Sequence, residues 1–236
     1  MSVSLSALIA TDAGARSFAA AFFLSRNADG GIEYIGTAVT WLLLCLSATA
    51  IGLALAMLMD TRRADLVPDA LLKDLREDFK QGRYAEAIQR VKADGSFLGS
   101  VLRDAFQQAP SGHAAMRHAM EQAADAALIG RMRRLEVLNV LGQVSPMIGL
   151  FGTVYGMILA FQAIVASGGA ADPVMLAGGI GTALTTTFWG LVVAIPSMSA
   201  YALLRQRLEG HATEAMQGAD QLLGRLRKGT SRDAGT

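Results

Sequence analysis

The chain of 236 residues is 52% hydrophobic and 17% charged with a formal net charge of +1, too apolar for an ordinary soluble domain and without the basic excess of a nucleic-acid binder. Its one cysteine, Cys45, excludes an intramolecular disulfide, and with no CxxC or HExxH pattern the three histidines, His113, His118 and His211, lack metal-ligand spacing. They read as surface or interhelical residues, and no metal or cofactor is expected.

Residues 1–31 form an N-terminal segment without the basic start of a secretory signal, its apolar stretches interrupted by Asp12, Arg16 and Arg26. They are expected to stay on the mature protein. Ala13 to Leu24 reads either as an amphipathic helix on the outer membrane face, anchored by Phe18, Phe22 and Phe23, or as disordered chain.

A membrane span needs ~20 apolar residues. Tyr34 to Met59 runs without a formal charge between Glu33 and Asp60, giving a first span over 32–59. From 60 to 135 apolar residues return at helical spacing: Leu71, Leu72, Leu75 and Phe79, then Tyr84, Ala87, Ile88 and Val91, then Phe97, Val101, Leu102 and Phe106. This predicts a small helical domain with breaks at Gly82, Asp94-Gly95 and Pro110, its charges forming a solvated face. No strong break then occurs before Pro146, so a long helix is expected from an N-cap at Ser111 into the second span.

The second and third spans are read at 136–166 and 174–204, joined by the short Gly-rich link 167–173, which predicts an antiparallel hairpin. From 205 to 236 helical spacing continues through Leu208, Ala212, Met216, Leu222 and Leu226, so the third membrane helix should extend well beyond the bilayer. Arg62 and Arg63 follow the first span, Arg131, Arg133 and Arg134 precede the second, and Arg205 and Arg207 follow the third. The positive-inside rule then puts the N-terminus and the link outside and the middle domain and tail in the cytoplasm. The fold class is an all-α membrane protein: three transmembrane helices with long cytoplasmic helical extensions and a small cytoplasmic helical domain.

Gly149, Gly152 and Gly156 give the second span a small-residue face, and Gly179, Ala183, Thr187, Gly190 and Ala194 do the same for the third. Such faces let helices approach closely. Thr153 and Thr187 lie among these residues, so their hydroxyls can meet near mid-membrane depth; alternatively each bonds back to a carbonyl one turn earlier and is satisfied without function. Pro146 and Pro196 either bend their helices and free local carbonyls or are tolerated membrane prolines.

The run Ser145-Pro-Met-Ile-Gly-Leu-Phe-Gly-Thr-Val-Tyr-Gly156, and the glycine, threonine, glycine and proline landmarks between Asp172 and Pro196, resemble the MotA/TolQ/ExbB proton channel family, specifically from about Leu135 to Arg205. One soluble domain between the first and second of three spans is similar to the ExbB/TolQ layout. The resemblance implies an ion pathway lined by Thr153 and Thr187, with Thr186 and Thr182 as further candidates. It also implies a homopentamer around a dimer of single-span ExbD/TolR/MotB-like partners in the bacterial inner membrane. The partner would supply an aspartate, since no Asp, Glu, Lys, Arg or His lies in the three uncharged runs. TolQ- and ExbB-like members commonly carry a glutamate where this chain has Thr182, a departure that weakens a Tol or Ton assignment. Thr185 to Thr187 leave sodium open as the ion.

The reading is therefore a channel and motor subunit coupling ion-motive force to mechanical work. The alternative is an oligomeric membrane scaffold whose small-residue faces serve packing alone. An enzyme is not expected, because no nucleophile elbow, phosphate-binding loop or paired carboxylate is present.

Overall fold

The computed structural model describes Phe23, residues 33–170 and residues 173–233, with side chains as far as Gly224. The described residues form helices only: α1 (Tyr34–Asp60), α2 (Arg63–Leu66), α3 (Asp69–Lys80), α4 (Tyr84–Ala93), α5 (Phe97–Gln107), a 3₁₀ turn (Ala109–Ser111), α6 (His113–Ala166) and α7 (Pro173–Asp233). Three of these, α1, α6 and α7, are long and apolar enough to cross a membrane. At 54 and 61 residues, α6 and α7 run about 80 and 90 Å, more than twice what a ~30 Å hydrocarbon core requires. The outer-face helix read at Ala13–Leu24 lies outside the described residues apart from Phe23. That residue is helical, and its ring centroid is 5.7 Å from that of Trp189.

The chain divides into two compact units, one of residues 1–54 and 138–200 and the other of residues 55–137 and 201–236. In the first, α1 packs on the α6–α7 hairpin through Val39, Leu43 and Val193, with Leu46, Ile148 and Trp189 around them. The hairpin turns after Ala166 at Gly168 (φ 65°) and Gly169 (φ 96°), left-handed values that glycine adopts without steric cost. The Gly169 N–H donates to the Ile164 carbonyl at 3.1 Å and closes the helix end.

The second unit is a helical domain with a conventional core of Leu71 and Leu75 from α3, Ala87 and Val91 from α4, and Phe97, Leu98 and Leu102 from α5. Phe79 meets Phe106 edge-on at 6.0 Å and Tyr84 at the same distance. Helix α5 begins where Ser96 Oγ accepts the Gly99 N–H at 3.0 Å, which satisfies one of the four unpaired amides of a helix start.

Two expectations need correcting. Ser111 does not cap α6: Pro110 closes a 3₁₀ turn, Gly112 follows at φ 89°, and the helix starts at His113. Nor do all the charges of this domain form a solvated face. Asp78 is 1% exposed; its Oδ1 accepts from Arg83 Nε and Nη2 at 3.1 and 2.7 Å, and Arg90 Nε stands 2.8 Å from Oδ2. Two guanidiniums compensate the burial of one carboxylate, which otherwise costs several kcal/mol.

Nearer the surface, Arg63 forks onto two carboxylates, Asp69 at 2.6 and 3.1 Å and Glu214 of α7 at 2.6 and 3.2 Å. Its hydrogen bonds hold both acids below the usual carboxylate range and raise its own basicity.

Candidate functional site: the α6–α7 crossing

The two hairpin helices touch backbone to backbone. A Cβ added at Gly156 would stand 2.6 Å from the Gly179 carbonyl oxygen and 2.7 Å from the Ala183 nitrogen, and one at Gly190 would stand 2.9 Å from the Ser145 carbonyl oxygen. Gly149 faces Thr186, Thr187 and Gly190, and Gly179 faces Gly156 and Ala160, so contacts advance along one helix as they retreat along the other. Ala183 and Ala194 are buried in this seam. No side chain larger than glycine fits at Gly156 or Gly179 without moving main chain.

Thr153 and Thr187 meet inside the seam. Their hydroxyls are in hydrogen-bond contact with each other. Thr153 Oγ1 also lies 3.2 Å from both the Gly149 and Ala183 carbonyl oxygens, and Thr187 Oγ1 lies 3.2 Å from Ala183 O and 3.4 Å from Gly149 O. Two hydroxyls and two carbonyls, one of each from either helix, thus form a four-oxygen cluster. Each hydroxyl has a partner on its own helix one turn earlier and another across the seam, so local back-bonding and interhelical bonding coexist.

Thr186 and Thr182 differ from this pair. Thr186 is fully buried, donates to the Thr182 and Ala183 carbonyls at 3.0 and 3.1 Å, and covers Gly152, where an added Cβ would stand 2.3 Å from its Oγ1. Thr182 is 4% exposed. Neither belongs to the four-oxygen cluster.

The helices continue through Pro146 and Pro196. Each proline has a serine beside it that the sequence reading passed over: Ser145 Oγ donates to Leu141 O at 2.6 Å and Ser197 Oγ to Val193 O at 2.7 Å. Both serines are buried. A hydroxyl next to a proline, four residues from a carbonyl, was the available signal.

Glu33 was missed as well. Immediately ahead of α1, it is 4% exposed and is the one residue among Asp, Glu, Lys, Arg and His in the described part of the membrane unit. Oε1 accepts the Ile35 N–H at 2.9 Å and the Tyr155 hydroxyl at 2.8 Å, and Oε2 accepts the Gly36 N–H. Tyr155 stands eleven residues before the end of α6 at Ala166, about 16 Å along the helix axis. The three uncharged runs hold no Asp, Glu, Lys, Arg or His, but the residue just outside the run of α1 reaches Tyr155, inside the second span. Among the described residues no group of three or more His, Cys, Asp or Glu is arranged to hold a metal ion.

A three-span membrane protein with a glycine-tight hairpin and hydroxyls paired at its crossing is the class these observations define. A model of the MotA/TolQ/ExbB proton channel family matches residues 93–217, and the chain belongs to that family. It is 41% identical over 70 residues to the biopolymer transport protein exbB1 of Vibrio cholerae, covering 30% of this chain and 31% of the relative. It is 31% identical over 175 residues to a putative biopolymer transport protein ExbB-like 1 of Synechocystis sp., covering 72% and 67%. With the Tol-Pal system protein TolQ of Haemophilus influenzae it shares 44% over 75 residues, 32% of each. The chain thus spans between about a third and two thirds of these relatives' own lengths. The structure of C. jejuni MotAB has a similar fold, with a TM-score of 0.53 at 18% identity over 83% of this chain and 77% of that one.

Proposed function

We propose that this chain is the channel and motor subunit of an inner-membrane complex that couples proton-motive force to mechanical work across the cell envelope. The observation that carries the reading is the Thr153–Thr187 hydroxyl contact with its two carbonyls, a polar crossing that joins the two helices in a seam of small residues. Such a crossing gives a moving proton or a partner's carboxylic acid hydrogen-bond partners where the bilayer has none. Family membership, and relatives named for biopolymer transport and the Tol-Pal system, support the same role.

In this reading copies of the chain, five by the family pattern, surround a dimer of single-span ExbD/TolR/MotB-like partners whose membrane helix supplies an aspartate. That carboxylate takes a proton on the periplasmic side, passes Thr153 and Thr187, releases it inside, and turns one component against the other. The N-terminus is periplasmic; residues 60–135 and the C-terminal helix are cytoplasmic.

The scaffold reading has one observation in its favour, a carbonyl one turn earlier on its own helix within reach of each hydroxyl. Flux of protons and of sodium, measured separately in liposomes with and without the single-span partner, tests the choice. Partner-dependent proton flux is the expected result. No flux of either ion under any driving force would leave the scaffold.

A further inference from the structure

We propose that Glu33 and Tyr155 form a proton-binding site of the membrane unit: Glu33 reversibly takes up a proton from water, and the Tyr155 hydroxyl turns from donor to acceptor as it does. The inference deepens the channel reading by placing a titrating carboxylate on this chain, in addition to any a partner brings. Glu33 is 4% exposed and is the one charged side chain among the described residues of the membrane unit. Intramembrane carboxylates are expensive and are commonly kept for moving charge.

The hydrogen bonds argue for exchange. The Ile35 and Gly36 amides only donate, so they serve the ionised oxygens. A phenol donates or accepts, which makes Tyr155 the one partner here that can accept from a protonated Glu33, while a backbone amide stays on the oxygen that carries no proton. Uptake converts –COO⁻ and H⁺ to –COOH with no other reactant.

Among the described residues few other titratable groups surround the site. From α6 it is Tyr155; on α1 they are Tyr34, mostly exposed beside Glu33, and Cys45, three turns further on; residues 173–200 of α7 contribute none. The site is separate from the threonine cluster. Tyr155 is two residues past Thr153, about 200° around α6 and ~3 Å along its axis, so the carboxylate lies on the opposite side of the helix at nearly the same depth.

The simpler role, a carboxylate capping α1, is met in part by glutamine, whose amide oxygen accepts at the Oε1 position without ionising while its NH2 cannot accept the Gly36 N–H. Glu33→Gln therefore removes ionisation at the loss of one capping bond, and its spectrum is read beside its melting temperature. The full chain in liposomes is taken through a pH step and followed by infrared difference spectroscopy. The expected result is a protonated-carboxyl C=O band that Glu33→Gln lacks and that Tyr155→Phe shifts. Identical difference spectra for wild type and Glu33→Gln would overturn the proposal.

In the complex with its partner, Glu33→Gln should stay folded, melting slightly below wild type for the lost Gly36 bond, and carry roughly tenfold less proton flux or lower. Undiminished flux in that folded variant would overturn a place for Glu33 in conduction. If the wild type carries no flux at all while the band is present, the channel reading fails and the proton site stands.

Discussion

The two compact units invert one another. In the membrane unit Leu150, Phe151, Phe161 and Ile195 face outward while glycines, alanines and threonines fill the seam; in the helical domain Phe97, Leu75 and Leu98 are buried and the charges mostly lie outside. The difference follows from the solvent. Where lipid surrounds a helix, large apolar side chains gain little by turning inward, and close backbone approach with internally bonded hydroxyls holds the helices together. Where water surrounds it, burial of apolar area at ~25 cal/mol per Å² dominates, and buried charge needs paired partners.

The sharpest way to break this contrast is in the helical domain. Asp78→Ala leaves Arg83 and Arg90 facing a small cavity without their carboxylate. The expected loss is about 3 kcal/mol, at the lower end for a broken buried pair because both guanidiniums also reach water. Thermal unfolding of the full-length protein in detergent checks it. A melting temperature within experimental error of wild type would show that the clamp is dispensable.

In the membrane unit the corresponding break adds one methyl group. Gly156→Ala places a Cβ against Gly179 O and Ala183 N, main-chain atoms that cannot rotate away, and should cost about 2 kcal/mol through forced separation of the helices. Gly181→Ala, with open space around its Cβ, is the control and should be nearly neutral. Equal effects of the two in a denaturation series in mixed detergent would contradict backbone contact as the basis of the hairpin.

The smallest effect concerns the surface. Asp69 and Glu214 titrate below their ordinary values of 3.8 and 4.5 because Arg63 hydrogen-bonds their ionised forms. Their contribution to stability is therefore complete above those values and is lost as pH falls through the lower folded-state values. Arg63→Gln should melt slightly below wild type at neutral pH, and the gap should close on acidification below about pH 4. A gap independent of pH would assign the effect to packing of the arginine stem.

Much of this architecture is legible in the residues. The uncharged runs and helical spacing locate three spans and a middle helical domain, and a continuous pattern through 113–166 announces a helix longer than the bilayer. The breaks at Gly82 and Asp94-Gly95 coincide with helix ends. What escapes is everything that depends on where one helix lies against another. Glu33 stands three residues before Gly36, as a capping side chain does, but its meeting with Tyr155 depends on the depth at which α1 starts, which no local pattern encodes. The burial of Asp78 is hidden for the same reason, because its partners come from the following turn and helix. Ser111 fails as a cap since Pro110 and Gly112 settle the local backbone first.

The claim on which the account rests is that the Thr153–Thr187 hydroxyls lie in the path of the transported ion. Proton flux through the reconstituted complex with its single-span partner, compared among wild type, Thr187→Val and Thr187→Ser, tests it most directly. Valine keeps the shape and removes the hydroxyl, so flux should fall roughly tenfold, about 1.4 kcal/mol at the barrier, while serine keeps most of it. Equal flux in wild type and Thr187→Val, with the complex intact, would contradict the account and leave the crossing a packing contact.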